Sequence, residues 1–237
     1  MGAPVRIWRC ALLDMTMVDD GPKKARLQFD LDRARRSVFG EPSAITLHGP
    51  AHSERSRVEA FLEAAYARAF EGRIRSHYPT LMSVQDDQGR IHAAAGFRLA
   101  SEGPLFLEQY LDEPVEDALE RRLGVRTARD AIAEIGNLAS DSPGVSLALF
   151  LALASHLDRD GCTHAVATAT RQLRRRFARV GFATQTITRA EPVRLAGQAA
   201  DWGAYYSRDP EVLAGAIAPA LPALARLHPA LPGGLAQ

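Results

Sequence analysis

One glutamate inside an apolar run is the residue of this chain best placed for acid–base chemistry. Glu134 lies between Ile132 and Ile135 in the segment AIAEIGNLAS, a pattern typical of a buried strand. Burial raises the pKa of a carboxyl group, so this side chain can accept a proton from an amine near neutral pH, often through a water molecule. The structural alternative is a carboxylate at a sheet edge that pairs with Arg98 or Arg129.

Three further residues follow Glu134 where the strand is predicted to open toward a ligand. Asn137 can donate a hydrogen bond to a carbonyl or orient an acceptor, and its alternative role is a turn residue that bonds backbone. Ser140 and Gly144 border the loop before the next helix. Because a helix N-terminus presents unpaired N–H groups and the positive end of a dipole, this loop suits a phosphate, a phosphopantetheine or a carbonyl.

A polar pair interrupts the apolar segment LFLEQYL. Glu108, with Gln109 beside it, can bind an acceptor amine there, or it can form a structural ion pair with Arg98. Arg98 follows a strand rich in small residues, which allows close approach of a ligand or a helix. Its guanidinium can hold a substrate carboxylate bidentately, or it can close the same ion pair.

Aromatic hydroxyls are concentrated in the motif DWGAYY, after the last strand of the predicted core. Tyr205 or Tyr206 can supply a general acid, and the alternative is that both anchor a C-terminal segment. Cys162 follows a tight Gly turn and is not expected to be a nucleophile. With two cysteines, no CxxC pair and no clustered histidine beside either, we expect a reducing compartment and no metal site.

Arginines occupy one face of a helix that is predicted from residue 171. Leu173 and Phe177 face inward, and the predicted outward-facing arginines are Arg171, Arg174, Arg175 and Arg179. Such a face can meet an acidic helix of a partner protein, and the alternative is a solvated surface.

Alternating strands and helices must position these residues. The patterns predict strands at 44–48, 80–84, 90–99, 131–138, 164–170 and 184–188, and helices at 53–72, 114–123, 145–157, 171–180 and 209–217. The stretch 131–182 is thus a strand–helix–strand–helix unit, and its first helix is apolar on all sides and therefore predicted to be buried.

Charge and hydropathy exclude several classes of function. Lys and Arg number 29 and Asp and Glu number 28, so the net charge of +1 argues against a nucleic-acid partner. The longest apolar run, 145–157, is too short to cross a bilayer, and the N-terminal run is short and broken by charges. We therefore expect a cytoplasmic protein with no stable membrane insertion, and the sequence gives no prediction of oligomeric state.

A strand, turn, buried helix, strand and a helix ending in RRRFARVGF together resemble the core of the GNAT acyltransferase superfamily. The resemblance implies an α/β (α+β) fold: a mixed twisted sheet with a splayed central strand pair and helices on both faces. It also implies that the donor's pantetheine lies between the splayed strands, with its carbonyl on a backbone N–H of the fourth strand. The predicted division is an N-terminal extension (1–43), a GNAT-like core (44–190) and a C-terminal segment (191–237).

Four segments resemble the thermostable hemolysin family of bacterial proteins. They are LFLEQYLDEPVE, EIGNLAS, TATRQLRRRFARVGF and DWGAYYSRDPEVLAGAI, in the family's order. The layout is also similar to that of acyl-homoserine-lactone synthases, which take acyl groups from an acyl carrier protein.

Two departures from the GNAT pattern concern the donor and the acid. The usual phosphate loop begins with Arg or Gln and ends with Gly or Ala, whereas alignment on Gly144 places Asp141 and Ser146 there. A carboxylate repels a pyrophosphate, so coenzyme A fits less well than a carrier protein with one phosphate. The frequent GNAT tyrosine acid is Phe177 in this chain, so the general acid must come from elsewhere.

These features predict an acyltransferase that moves an acyl group from an acyl-pantetheine thioester to a small amine. The donor partner is an acyl carrier protein or carrier domain, with coenzyme A as the alternative, and the outward-facing arginines would bind it. Two other functions stay open: a GNAT-like protein that has lost catalysis and binds a carrier or small ligand, and a membrane-lytic hemolysin. The absence of an amphipathic lytic helix argues against the last.

Overall fold

The computed structural model of the protein describes residues 6–10, 15–19, 25–29, 44–141 and 143–227. Much of the predicted N-terminal extension and the tail after residue 227 lie outside these ranges. The division of the chain into extension, core and C-terminal segment stays a prediction.

The described strands form one twisted sheet. They are β1 (Arg6–Cys10), β2 (Met15–Asp19), β3 (Ala25–Phe29), β4 (Ala44–His48), β5 (Thr80–Gln85), β6 (Ile91–Leu99), β7 (Ile132–Ser140), β8 (His164–Ala169), β9 (Gln185–Arg189) and β10 (Glu211–Ala216). Their order is β1-β2-β3-β4-β5-β6-β7-β8-β10-β9. Within it β7 and β8 are parallel, and the other neighbours are antiparallel.

Helices cover both faces of the sheet. They are α1 (Arg55–Phe70), α2 (Val115–Leu123), α3 (Pro143–Arg159), α4 (Arg171–Arg179) and α5 (Leu221–Leu227). The alternation of side chains along β6 assigns two faces: Ala93 and Ala95 pack with Leu149 of α3, while Ala94 packs with Val58 of α1. The apolar helix predicted at 145–157 is α3, and it is buried as expected.

The central strands β7 and β8 part halfway along their length. Their pairing runs from Ile132 opposite His164 to Ile135 opposite Ala167 and stops there. On the other side of β7, the register with β6 shifts between Ala94 and Gly96, so β7 carries one extra residue at this point. A bulge of this kind bends the strand that contains it. The predicted mixed sheet with a splayed central pair and helices on both faces is confirmed.

The predicted helix at 209–217 is wrong, because residues Glu211–Ala216 form β10. This strand lies between β8 and β9 and pairs with both. Its four central residues are buried, so it reads as a short, continuous apolar run. Such a run cannot be assigned to helix or strand by periodicity, and here two open strand edges decide the conformation.

Within the described residues, no helix has the length and apolar character that a membrane span requires.

Candidate active site

Glu134 lies on β7 with only 1% of its surface exposed. Its two carboxylate oxygens accept hydrogen bonds from the backbone N–H groups of Phe106 (2.8 Å) and Leu107 (2.9 Å), at the start of a 3-10 turn at Phe106–Tyr110. The hydroxyl of Tyr78 donates a further bond. Burial raises the pKa of Glu134 to about 7, although these three donors and the nearby Arg98 oppose the rise.

The expected structural partners of Glu134 do not pair with it. Arg98 is its cross-strand neighbour in the register of β6 and β7, yet Arg98 donates instead to the carbonyl of Pro104 at 2.8 Å. Arg129 binds Glu108 and Glu116. The carboxylate of Glu134 is thus held by neutral donors, and a group of this kind can change its protonation state near neutral pH.

A pair of glycines makes room for the ring of Tyr78. Gly96 on β6 lies opposite Gly136 on β7. A Cβ atom at Gly96 would lie 2.7 Å from the Tyr78 Cβ, and one at Gly136 would lie 2.4 Å from the Tyr78 hydroxyl oxygen. No side chain larger than hydrogen fits at either position while the ring stays in place. The small residues of β6 thus admit a tyrosine side chain, where a ligand or a helix was expected.

Asn137 occupies the bulge of β7. Its φ of 48° is in the left-handed region, which asparagine tolerates better than most residues. Its side-chain Nδ2 is buried and has no hydrogen-bond partner in the structure. The backbone N–H of the next residue, Leu138, donates to the hydroxyl of Tyr66. The N–H of Leu138 thus has a partner in the structure, whereas the buried side-chain amide of Asn137 has none.

Four neighbouring spaces that share lining residues lie around the point where β7 and β8 part. A cleft of about 150 Å³ lies where β7 and β8 part. It shares Gly136, Asn137 and Thr168 with a polar cavity of about 380 Å³. It shares Thr170 and Arg176 with an arginine-lined groove of about 890 Å³.

The fourth space is apolar and lies beneath the sheet. It measures about 50 Å³ and shares Ile135, Leu138, Ala167 and Phe177 with the cleft. The four spaces together can hold an elongated molecule with a charged end, an apolar end and a reactive centre beside Asn137.

Glu108 and Gln109 have structural partners in the 3-10 turn. Glu108 binds Arg129 at 2.7 Å and accepts from the N–H groups of Leu105 (2.7 Å) and Val115 (2.9 Å). The suggested pair with Arg98 is wrong, because Arg129 takes that position. Gln109 donates to the carbonyl of Phe106 at 3.0 Å and also lines the polar cavity.

The two predicted tyrosines lie side by side but face different surroundings. Tyr205 donates to the carbonyl of Thr168 at 3.1 Å and lines both the cleft and the polar cavity. Burial raises its pKa well above the usual value, so its hydroxyl stays protonated. Tyr206 shares a hydrogen bond with Tyr110 at 2.5 Å.

The predicted arginine face of α4 divides into two groups. Arg171 and Arg174 bind Asp209 at 3.1 Å and 2.9 Å, and Arg174 also binds Glu211. Arg174 is 20% exposed, so the expectation that it faces outward is wrong: the chain around β10 brings two carboxylates against it. The second group has no ion pair with the described residues and consists of Arg175, Arg176, Arg179 and, beyond α4, Arg208; it lines a groove that Arg171 and Asp209 also line.

In the loop before α3, the carboxylate of Asp141 is directed toward His92 and does not line the polar cavity. Asp141 lies 3.5 Å from His92, and its backbone N–H donates to the His92 carbonyl. Ser140 ends β7 opposite Ala93, and Gly144 lies in the first turn of α3. None of these three residues reaches the polar cavity.

Burial raises the pKa of Cys162 to about 11, as suits an inert thiol. Among the residues that the structure describes, no three His, Cys, Asp or Glu side chains are grouped closely enough to bind a metal ion.

Sequence reasoning missed cavity-lining residues from α1 and from the segment between α1 and β5. Tyr78, Arg73 and Tyr66 line the polar cavity, as does Trp202 of the DWGAYY motif. A usable signal was the presence of glycine at Gly96 and Gly136, because a glycine within a strand often marks close approach of another group.

Comparison with known proteins gives a family and a fold. Residues 48–221 match the family model described as "Thermostable hemolysin". No curated protein sequence matches the chain significantly.

Several solved structures share the fold at low sequence identity. TofI in an apo form has a TM-score of 0.53 and 16% identity over 76% of this chain and 95% of that chain. The AHL synthase LasI has a TM-score of 0.52 and 15% identity over 76% and 94%. The CoA-dependent acyl-homoserine lactone synthase BjaI, with SAM and isopentyl-CoA, has a TM-score of 0.53 and 13% identity over 76% and 86%. These likenesses establish a GNAT-like fold.

Proposed function

This chain belongs to the thermostable hemolysin family, and we propose that it transfers an acyl group from a pantetheine thioester to a small amine. One observation carries the proposal. The cleft between β7 and β8 shares lining residues with an arginine-lined groove, an apolar cavity and a polar cavity, and the polar cavity is lined by Tyr78, which donates to Glu134. Such a layout suits a donor with a phosphate at one end and an acyl chain at the other, and an amine that arrives from a third side. The solved AHL synthases that share this fold support the same class of reaction.

The donor thioester would lie in the cleft with its carbonyl beside Asn137. The unpaired, buried Nδ2 of Asn137 would donate to the carbonyl oxygen, whose negative charge grows as the amine attacks. The acyl chain would enter the apolar cavity past Phe177, a residue that both spaces share. Phe177 thus serves as apolar wall where the GNAT pattern has an acid.

The acceptor would lose its proton through Tyr78 to Glu134. Tyr78 lines the polar cavity, and its hydroxyl already donates to the Glu134 carboxylate. The phenol gives its proton to Glu134 as it takes one from the ammonium group, so the negative charge on Glu134 is neutralised and the amine becomes nucleophilic. A carboxylate with a pKa of about 7 is suited to this exchange at neutral pH.

The remaining bonds change in a single displacement. The amine nitrogen attacks the carbonyl carbon, and the tetrahedral intermediate expels the sulfur as a thiolate. A second proton leaves the nitrogen and protonates this thiolate, which gives the thiol. Tyr205 stays protonated and lines both the cleft and the polar cavity, so it is the proposed hydrogen-bond donor to that sulfur once its hydroxyl turns away from the Thr168 carbonyl. The products are an amide and a free thiol, with one proton returned to solvent from Glu134.

The phosphate of the donor would bind in the arginine-lined groove. Arg175, Arg176 and Arg179 line it and form no ion pair with the described residues, whereas Arg171, which also lines it, is paired with Asp209. We favour an acyl carrier protein as the donor, with acyl-CoA as the alternative. Within the predicted carrier-binding set, Arg175 and Arg179 are therefore the residues proposed to bind it directly.

The test uses the purified full chain with matched donors. Acyl carrier protein and coenzyme A, each loaded with the same acyl chain, are mixed with a panel of amines, and products are identified by mass spectrometry while thiol release is followed optically. Amide formation with either donor supports the proposal. Thioester hydrolysis alone, or no reaction with any pair while donor binds, would overturn it in favour of a hydrolase or of a binding protein.

The role of the groove is tested with the charge-removing double variant R175Q/R179Q. A rise in the donor KM of tenfold or more, with little change in kcat, is expected if these arginines hold the phosphate end. R126Q is the matched control, because Arg126 is 85% exposed and pairs with Glu120 away from the groove.

A further inference from the structure

Arg98 carries a donor group that nothing in the structure satisfies. Its Nη1 donates to the carbonyl of Pro104 at 2.8 Å, while its buried Nε has no hydrogen-bond partner. Both Arg98 and Pro104 line the polar cavity. A buried unpaired donor is unfavourable, so a guanidinium in this state is suited to a ligand that supplies an acceptor.

The charges that line the polar cavity do not balance. Among its described lining residues are three arginines and one aspartate. The aspartate, Asp201, is already bound by Arg75 at 2.6 Å. Arg73 and Arg98 form no ion pair with the described residues, so the cavity has unneutralised positive charge.

The guanidinium of Arg98, which forms no ion pair with the described residues, lies next to Glu134, the proposed proton acceptor. Arg98 and Glu134 are directly opposite each other on β6 and β7, and cross-strand partners have Cβ atoms roughly 5 Å apart on the same face of the sheet. Tyr78 packs on this face and bonds Glu134. A carboxylate bound by Arg98 and an ammonium group that meets Tyr78 would thus be separated by a short distance, as they are in an α-amino acid.

Aromatic rings form a further part of the cavity wall. Phe106 and Trp202 pack with ring centroids 5.4 Å apart, and Tyr66 and Tyr110 also line the space. This wall suits an apolar or aromatic side chain.

We propose that the acceptor amine is an α-amino acid with an apolar or aromatic side chain, whose free carboxylate is bound by Arg98. The inference rests on the proposed function, because it names the acceptor of the same reaction. It deepens that proposal in one respect: the site recognises a zwitterion and not a simple amine.

The test compares three acceptors that share one aromatic side chain: phenylalanine, phenylalaninamide and phenethylamine. The amide has the more readily deprotonated amine, so reactivity alone would favour it over the amino acid. We expect kcat/KM for phenylalanine to exceed that for either analogue without a carboxylate by tenfold or more. Equal use of the amino acid and its amide by the wild-type protein would overturn the inference while leaving acyl transfer intact.

Variants at Arg98 assign the effect to this side chain. R98Q is expected to lower the ratio of kcat/KM for phenylalanine to that for phenylalaninamide at least tenfold, mainly through the KM for phenylalanine, because any change that it causes at Glu134 affects both acceptors alike. R98K keeps the positive charge but loses the planar fork of the guanidinium, so its kcat/KM for phenylalanine is expected to lie between the values of wild type and R98Q. The exposed-site variant R126Q should match wild type. An equal loss with both acceptors would contradict the assignment.

Calorimetric binding without a donor separates the two proposals. Phenylalanine is expected to bind the wild-type chain more tightly than its amide, and R98Q is expected to abolish that preference. If the amino acid binds selectively but no donor yields an amide, acyl transfer fails and the recognition of a carboxylate stands. If neither acceptor binds selectively, the inference fails, whatever the transfer assay gives.

Discussion

Two carboxylates bind backbone N–H groups at the start of the same 3-10 turn, and they differ in whether a charged side chain also donates to them. Glu108 and Glu134 both accept backbone N–H groups from residues 105–107. Burial alone would raise the pKa of Glu108, but the hydrogen bond from Arg129 and two backbone donors lower it below the usual value. Glu134 has neutral donors only, and burial raises its pKa to about 7.

The difference shows what backbone donors can do for a buried carboxylate. Two N–H groups fix the position of the side chain in both cases, but they do not keep it ionised at neutral pH. A neighbouring guanidinium does keep a carboxylate ionised, and such a carboxylate then cannot take up a proton near neutral pH. The start of this turn therefore binds two carboxylates: that of Glu108, which is suited to a structural role, and that of Glu134, which is suited to proton transfer.

The largest expected effect is on turnover. E134Q should lower kcat for amide formation by about 10²- to 10⁴-fold, because it removes the proton acceptor and keeps the shape of the side chain. The rate of product formation measures this, and E120Q, at an exposed glutamate, is the control. Full turnover in E134Q would end the proposed role of Glu134.

The two carboxylates should also affect stability with opposite dependence on pH. Folded Glu134 binds its proton more tightly than the unfolded chain does, so its contribution falls as pH rises from about 4.5 to about 7, by up to about 3 kcal/mol. Glu108 has a lowered pKa, so its contribution is present above its unfolded pKa and is lost as pH falls through the folded value.

Urea unfolding of wild type, E134Q and E108Q across pH 3 to 8 tests this contrast. The stability difference between wild type and E134Q should shrink or turn negative above pH 7, while that between wild type and E108Q should be largest there. If the stability differences of the two variants change with pH in the same way, the guanidinium of Arg129 does not account for the contrast between Glu108 and Glu134.

The glycine pair offers a steric way to disturb one carboxylate and not the other. G136A puts a methyl group within 2.4 Å of the Tyr78 hydroxyl, so the ring must move away from Glu134. We expect a loss of about 1–3 kcal/mol in stability together with a fall in kcat. G49A is the matched control because nothing lies within 4 Å of a Cβ there. Unchanged activity in G136A would remove Tyr78 from the proton path.

The smallest change expected is a displacement of the pH profile of Y78F along the pH axis, which accompanies the loss of kcat caused by removing the proton relay. The Tyr78 hydroxyl stabilises the ionised form of Glu134, so its removal should raise the pKa of that carboxyl further. The rise of kcat/KM with pH should therefore move to higher pH by up to about one unit, with a lower plateau. A profile lowered uniformly, with no movement along the pH axis, would indicate a packing role alone.

Sequence patterns were sufficient for the elements whose signal is local. The apolar stripe of α1, the hairpin of β5 and β6, and the all-apolar α3 follow from periodicity and turn residues. Glu134 was identifiable as a candidate because a carboxylate between isoleucines in a predicted buried strand is unusual, and its role stays a prediction.

The parts that were missed depend on contacts between distant segments. Tyr78 became visible only once Gly96 and Gly136 were known to be opposite each other. The partner of Glu108 is Arg129 and not Arg98, a choice set by how the turn at 106–110 packs. β10 was misassigned because its neighbours β8 and β9 decide its conformation.

The position of β10 has a consequence for the order of folding. It is the last described strand to leave the ribosome, yet it lies inside the sheet and joins β8 to β9. Until it is synthesised, β8 has an open edge and β9 has no partner within the described sheet. An unpaired edge can recruit strands from other chains, so the nascent protein passes through a stage at which it is prone to aggregate, and insertion of β10 ends that stage.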